Sequence, residues 1–167
     1  KVAGKVSPIL VMKKDGFDRS TRELINGLNV NTAYIVGGSD SVSSLGYKAV
    51  KSVPGVATLS RLSGADRYAT NVEVINEFYL HDGNGKDPAD GAIFASGANQ
   101  YLVDAQTSGA YAAFKKAPIV LAGSKMTADQ SSLFKRNAVL DGKKGVVQVG
   151  GVVAADFMKA VVEKLGL

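Results

Sequence analysis

The chain has 167 residues, of which 46% are hydrophobic, so it can form one domain, or two small ones, with a sizeable core. The basic residues behind its formal net charge of +5 are scattered, without the like-charge block or zinc spacing of a nucleic-acid-binding protein, and no apolar run approaches the ~18 residues of a membrane span. The lack of cysteine excludes disulfides, thiolate catalysis and sulfur-ligated zinc.

Short apolar runs alternate with helical patterns in the first part of the chain. The earliest run, residues 7–12, is unbroken and carries its proline at the edge, which predicts a strand buried on both faces. Gly37 and Gly38 end a β-rich run, and residues 39–41 offer N-caps for the next helix. The predicted elements are a strand at 7–12, a helix at 19–28, a strand at 32–36, a helix from 39–41 to Val50 and a strand at 56–62.

The stretch 61–71 joins this last strand to a helix and is rich in charge. Ser63, followed three residues later by Asp66, predicts a capping box. In it the Ser63 hydroxyl accepts the backbone N–H near Asp66, and the Asp66 carboxylate reaches back to the backbone N–H of Ser63. The helix should then run to about Tyr79 on an apolar stripe. Arg67 opposes the helix macrodipole in the first turn, so we expect Asp66, another carboxylate or an external anion to hold it.

The same alternation continues beyond an exposed loop predicted at 81–88. The further predicted elements are a strand at 92–95, a helix at 102–114, a strand at 117–122, a helix from Thr127 to about Ala138, a strand at 145–149 and a helix at 154–165. Unbroken apolar strands that alternate with helices are typical of a mostly parallel sheet with helices on both faces. The sequence therefore predicts the α/β class with Rossmann-like or flavodoxin-like layers.

An internal repeat organises these elements. Segments 8–50 and 118–161 share the order proline, aliphatic strand, polar turn, helix, aliphatic strand, Val-Gly-Gly and helix. Such repetition is typical of a tandem array. We therefore predict that residues 1–56 are the second half of one repeat and residues 57–167 a complete repeat, within a protein that continues upstream.

These motifs resemble the type 2 cell-wall-binding repeat of Gram-positive surface proteins. The resemblance covers nearly the whole chain, and its most specific part is Arg-Leu-Ser-Gly-Ala-Asp-Arg-Tyr-Ala-Thr at 61–70. The other matching stretches are 95–97, 103–105, 117–121 and 149–151, with 8–11, 36–38 and 42–43 matching the second half of a further repeat.

The resemblance implies a secreted module of the cell wall or surface layer that binds an anionic, teichoic-acid-like polysaccharide noncovalently. It implies no catalysis, metal or cofactor, and it implies association with sister repeats of the same or a partner surface-layer chain. We expect no nucleic-acid partner. The residues expected to contact the ligand are Arg61, Ser63, Asp66, Arg67, Asp104, Gly37, Gly38, Gly150 and Gly151.

Each candidate residue also has a structural explanation. Arg61 and Arg67 match a phosphodiester or carboxylate through paired hydrogen bonds, but both can instead pair with Asp66 or Asp104 to fix the junction. The backbone N–H groups of the two Gly-Gly turns can face an anion at a helix N-terminus, or the glycines can serve tight strand-to-helix packing. Asp104 can also simply stabilise the start of a helix.

Other functions stay open at this point. A doubly wound enzyme or binding domain would hold a nucleotide or sugar phosphate at the strand carboxyl ends, although the sequence has no dinucleotide or P-loop fingerprint. A Ser-His-Asp hydrolase would have to recruit His81, the only histidine, to Ser63 or Ser96. A purely structural surface-layer module would pack on sister repeats and touch no glycan.

Overall fold

Two small parallel sheets carry the fold, one in each half of the chain. The computed structural model describes residues 8–79, 89, 91–136 and 145–167. The chain divides into a first unit, residues 1–62, and a second unit, residues 63–167. The loop predicted at 81–88 and the helix end predicted at Ala138 lie outside the described residues. The α/β class predicted from the sequence is confirmed.

The first unit contains a parallel pair of strands and, in its described part, two helices. Its elements are α1 (Arg19–Gly27), β1 (Thr32–Val36), α2 (Ser44–Lys51) and β2 (Thr58–Leu62). The strands pair in register, from Thr32 with Thr58 to Val36 with Leu62. Because β2 pairs with β1, it belongs to the first unit, which ends at residue 62.

Side-chain caps start both helices of the first unit. The Asp18 carboxylate accepts the backbone N–H of Thr21 at 2.8 Å, and this hydrogen bond lowers the pKa of Asp18. The Ser43 hydroxyl accepts two N–H groups in the first turn of α2, at 3.1 and 3.3 Å. The cap predicted at 39–41 is therefore wrong, because these residues form the turn that leads from β1 towards Ser43.

Segment 8–12 is not a strand, contrary to the prediction. Its side chains are not buried either, since Ile9 is 95% and Val11 92% exposed. A strand forms only where a neighbour exchanges backbone hydrogen bonds with it. Among the described residues β1 pairs with β2 alone, so this apolar run has no strand beside it.

The second unit contains a parallel sheet with the strand order β4-β3-β5. Its elements are α3 (Arg67–Tyr79), β3 (Ala92–Ser96), a 3-10 turn (Asn99–Tyr101), α4 (Leu102–Thr107), α5 (Gly109–Lys115), β4 (Ile119–Ala122), α6 (Ala128–Arg136), β5 (Val146–Val149) and α7 (Ala155–Leu165). The prediction of one helix at 102–114 is wrong, because the helix is interrupted at Ser108. The Ser108 hydroxyl donates to the Asp104 carbonyl at 2.6 Å, and the same carbonyl also accepts the Ser108 N–H at 3.1 Å.

Helices cover both faces of this sheet, as predicted. The central strand β3 is buried along its whole length. Phe94 packs against Phe134 of α6 and Phe157 of α7, with ring centroids 5.9 and 6.0 Å apart. Ile93, whose side chain points to the opposite face, packs with Ala112 of α5. The small alanine side chain allows α5 to approach the sheet closely.

Side chains close the outer edge of β4. Asn71 of α3 donates to the Ile119 carbonyl at 2.9 Å and accepts the Leu121 N–H at 3.0 Å. Gln130 of α6 is fully buried and donates to the Leu121 carbonyl at 2.7 Å. Thr127 accepts the Gln130 N–H, which confirms the helix cap predicted there. The two amide side chains thus satisfy backbone groups of β4 that a neighbouring strand would otherwise pair with.

Candidate ligand-binding surface

Arg61, near the end of β2, is held by backbone carbonyl groups. Its Nη1 donates to the Gly37 oxygen at 2.6 Å and its Nη2 donates to the Val42 oxygen at 2.8 Å. The guanidinium carbon also lies 5.7 Å from the centroid of the Tyr47 ring. Carbonyl oxygens satisfy N–H donors but carry no formal charge. These two acceptors therefore do not neutralise the positive charge of Arg61 beside the Gly37 turn.

The first Gly-Gly turn connects β1 to α2 and contacts β2. Gly37 has a φ of +121°, which L side chains rarely adopt, and its N–H donates to the Leu62 carbonyl at 2.9 Å. The Gly38 carbonyl accepts the Val42 N–H at 2.9 Å and closes the turn. A side chain at Gly38 would meet no atom within 4 Å, so this residue faces open space.

Asp66, not Ser63, caps α3. The Asp66 carboxylate accepts the Ala69 N–H at 2.8 Å, and the helix begins at the residue after Asp66. The predicted capping box between Ser63 and Asp66 is therefore wrong. The chain before the helix is tied down by Gly64, whose N–H donates to the Thr70 hydroxyl at 3.0 Å.

Arg67 is anchored at the carboxyl end of β3. Its Nη1 donates to the Gly97 carbonyl at 2.9 Å, and within the described part of the chain it forms no ion pair with Asp66 or Asp104. Gly97 packs so closely on the Tyr68 ring that a Cβ at this position would collide with it. The expected carboxylate partner of Arg67 is thus replaced by a neutral backbone oxygen. The guanidinium group keeps further N–H donors for another acceptor.

The Asp104 carboxylate lies against the second Gly-Gly turn. A Cβ at Gly150 would collide with the Asp104 Oδ2 atom, and Gly150 has a φ of +87°. Gly151 has open space around its Cβ position. The Gly150 carbonyl accepts the side-chain amide of Gln148 at 3.0 Å. This turn therefore has an acidic neighbour, whereas the Gly37 turn has Arg61.

An open depression at residues 13–18 was not predicted from the sequence. It is lined by Lys13, Lys14, Asp15, Gly16, Phe17 and Asp18. Ser43 fixes this turn to the start of α2, because its hydroxyl donates to Asp15 at 2.6 Å and its N–H donates to the Lys14 carbonyl at 2.9 Å. Two lysines beside two aspartates leave the depression without a dominant charge.

The predicted ligand residues are divided between the two units. Arg61 is joined to the Gly37 turn in the first unit, whereas Arg67 belongs to the second unit. Tyr68 and Asn71 were not predicted as site residues, and they contact the carboxyl end of β3 and the edge of β4. Both lie within the stretch 61–71, so the only indication in the sequence that they belong to the site was their position in that motif.

The described residues do not form a metal-binding cluster. No group of three or more histidine, aspartate or glutamate side chains among them is placed to hold a metal ion. Burial raises the pKa of Tyr79, but this residue packs against the core of the second unit. The lowered pKa of Asp18 belongs to a helix cap. Neither shift marks an acid or base poised in a cleft.

The strand, Gly-Gly turn and helix that recur in both units define the chain as an α/β module with a repeated local unit. The sequence profile of the family Cell wall binding domain 2 (CWB2) matches residues 61–156. The chain belongs to this family. Its resemblance to the type 2 cell-wall-binding repeat is thereby confirmed.

Two solved structures resemble the chain over most of its length. Cwp8 from Clostridium difficile is 30% identical with a TM-score of 0.77, and the match covers 92% of this chain and 24% of that one. Cwp6 from Clostridium difficile is 26% identical with a TM-score of 0.78, covering 95% of this chain and 23% of that one. The chain thus spans less than a quarter of either relative. No curated protein sequence matches it.

Family and relatives together establish the role of the chain at a coarse level. It is a cell-wall-binding module of a surface protein, and its location is the cell wall or surface layer. None of the helices in the described ranges has the length and apolar character that crossing a membrane requires.

Proposed function

We propose that the chain is a non-catalytic anchor that binds an anionic wall polysaccharide noncovalently. The observation that carries this proposal is that Arg61 and Arg67 are held by neutral carbonyl oxygens. Both guanidinium groups are thus fixed in place by acceptors that do not neutralise their charge. This arrangement favours binding of a phosphate or carboxylate group of a polymer. The net charge of +5 acts in the same direction.

Arg67 is the arginine better suited to a direct polymer contact. One of its terminal nitrogens bonds to Gly97, whereas Arg61 uses both terminal nitrogens for carbonyl groups. α3 begins at Arg67, so the positive end of the helix dipole lies at the same place. We assign Arg67 to an acidic group of the polymer in the second unit.

The remaining candidate residues supply neutral or acidic partners for the same polymer. Gly38 and Gly151 face open space, so polymer oxygens can approach the backbone without meeting a side chain. In this proposal Ser63, Asp66 and Asp104 accept hydrogen bonds from sugar hydroxyl groups. Gly37 and Gly150 shape the turns that present these contacts.

Sister repeats of the same or a partner chain complete the proposed anchor. Weak sites on linked modules hold a polymer through a high local concentration, and no single tight pocket is needed. A non-catalytic anchor of this kind therefore works with open, shallow contact surfaces.

A pull-down on purified wall polymer across a salt series tests the proposal. Arg67→Gln should weaken attachment about tenfold at low salt, the effect of losing one charge-assisted hydrogen bond, and the difference should shrink as salt rises. The matched control is Arg19→Gln, which removes the same charge from an exposed side chain paired with Glu23 at 2.8 Å.

The control variant should bind nearly as well as the unaltered chain. An equal loss in both variants would mean that net charge alone governs attachment and would contradict the assignment of Arg67. Absence of attachment by the unaltered chain at low salt would overturn the proposed function itself. Circular dichroism of each variant shows whether the fold is retained.

A further inference from the structure

Segment 8–12 and β1 of the first unit correspond to β4 and β5 of the second. The repeat aligns Pro8 with Pro118, and it aligns the Val-Gly-Gly triplet that begins at Val36 with the one that begins at Val149. In the second unit β3 lies between the two corresponding strands. The described part of the first unit has no counterpart of β3.

Backbone hydrogen bonds show on which edge of β1 a β3-type strand belongs. Along a strand, the N–H and C=O of one residue point to one neighbour, and those of the next residue point to the other. At the start of β5 the Gly145 carbonyl accepts the Ala92 N–H of β3 at 3.2 Å. The two Val-Gly-Gly triplets are 113 residues apart (149 minus 36), so Gly145 corresponds to Thr32.

β2 occupies the opposite edge of β1. The carbonyl of Asn31, one residue before Thr32, accepts the Thr58 N–H of β2 at 3.1 Å. The backbone groups of Thr32 therefore point away from β2. The edge that they face corresponds to the β3 side of β5, and no described strand pairs with it.

Exposed apolar side chains in segment 8–12 and at the end of β1 fit a sheet that lacks its central strand. Val120 of β4 is fully buried, but its counterpart Leu10 is 38% exposed. Val36, at the end of β1, is 55% exposed. In the second unit all five residues of β3 are buried between the flanking strands and helices. A strand of the same kind would cover the corresponding surface of the first unit.

We propose that a β3-type strand inserts between segment 8–12 and β1, and that a repeat preceding residue 8 in the same polypeptide supplies it. Segment 8–12, the inserted strand, β1 and β2 then form one parallel sheet. A second copy of this chain is an unsuitable donor, because its own β3 is already paired on both sides and buried. β2 is the first strand of the repeat predicted at 57–167 and overlaps the motif at 61–70. Each repeat therefore lends its first strand to the sheet of the repeat before it.

The second unit predicts what the donor segment contains. β3 begins 26 residues before Pro118 (118 minus 92), so the inserted strand should begin at a similar distance before Pro8. It should be a short, uncharged apolar run followed by helices like α4 and α5. An asparagine equivalent to Asn71 should bond to Ile9 and Val11, as Asn71 bonds to the corresponding residues of β4.

Amide hydrogen exchange of an extended chain tests the proposal. A copy of residues 63–117, placed directly before Pro8, supplies the missing strand. The amide of Val36 should then exchange at least about tenfold more slowly than in the unextended chain. The amide of Ala33, which faces β2, should change little. In the control extension the copied strand carries Phe94→Pro, because proline has no N–H and breaks a central strand.

Each alternative outcome is decisive. Unchanged exchange at Val36, in an extended chain whose copied strand is itself protected from exchange, overturns the proposal. Equal protection by the extension with and without the proline would show that the copied strand is not the cause. Slowed exchange in the unextended chain that depends on protein concentration would mean that a second copy fills the edge. None of these measurements requires polymer binding.

Discussion

β1 and β5 share one pattern, an aliphatic strand that ends in Val-Gly-Gly, but their surroundings differ. β5 lies beside a fully buried central strand, and its Gly150 turn contacts the Asp104 carboxylate. β1 pairs only with β2 among the described strands, and its Gly37 turn is held by Arg61. The comparison teaches that the strand and turn form locally, whereas the charge beside the turn depends on the side chain that another element brings.

The two turns should respond differently to an added methyl group, and this is the largest effect we expect. Gly150→Ala should lower the free energy of unfolding by about 3 kcal/mol, because alanine is strained at positive φ and its Cβ collides with Asp104. Gly37→Ala should cost about 1–2 kcal/mol, since it adds strain and only a 3.1 Å contact with the Ser41 Cβ. Urea unfolding measures both changes.

A double-mutant cycle isolates the collision at the second turn. In an Asp104→Ala background the cost of Gly150→Ala should fall to that of Gly37→Ala. An undiminished cost would show that Asp104 is not the cause. Gly151→Ala is the neighbouring control, because nothing lies within 4 Å of its Cβ position.

Truncating corresponding apolar side chains should lower the free energy of unfolding by different amounts, and this difference is smaller than the one at the turns. Val120→Ala should cost about 2 kcal/mol, because it removes fully buried carbon atoms from β4. Leu10→Ala should cost less than about 1 kcal/mol, although it removes a larger group, because Leu10 is 38% exposed. Urea unfolding with residue-resolved amide exchange assigns each loss to its unit. Equal losses would mean that segment 8–12 packs as tightly as β4, which would contradict the difference between the two units.

The smallest expected effect concerns the cap of α1. The Thr21 N–H lowers the pKa of Asp18 below its ordinary value of 3.8. The stabilisation by this cap is therefore present above pH 3.8 and is lost as the pH falls through the lower pKa of the folded state. Asp18→Asn, which keeps a capping oxygen, should retain α1 without this pH dependence. An NMR titration of Asp18 with a midpoint at or above 3.8 would contradict the cap.

Hydrophobic patterning correctly predicted strands that pair with a neighbouring strand. It wrongly predicted a strand at segment 8–12, which has no partner strand among the described residues. β3 and β4 are unbroken apolar runs, and the structure places them in the sheet as expected. Segment 8–12 has the same composition and is exposed. The pattern of a run reports its hydrophobicity, but pairing requires a second strand that the run does not specify.

The candidate site was predictable in its residue types and not in its contacts. Arg61 and Arg67 are visible as charged members of one motif. Their acceptors are backbone carbonyl groups, which every residue carries, so no sequence pattern marks Gly37 or Gly97 as the partner. Asn71 likewise has the appearance of an ordinary helix residue, although it closes the edge of β4.

By itself the sequence determined the alternation of strands and helices, the two Gly-Gly turns and the cell-wall-binding motif. These features depend on residues that are close together in the chain, so hydrophobic spacing and turn chemistry report them directly. Only the tertiary structure decided which edge of each strand is paired and which carbonyl each arginine binds. The reason is distance along the chain: Arg61 reaches across 24 residues to Gly37, and Arg67 across 30 to Gly97.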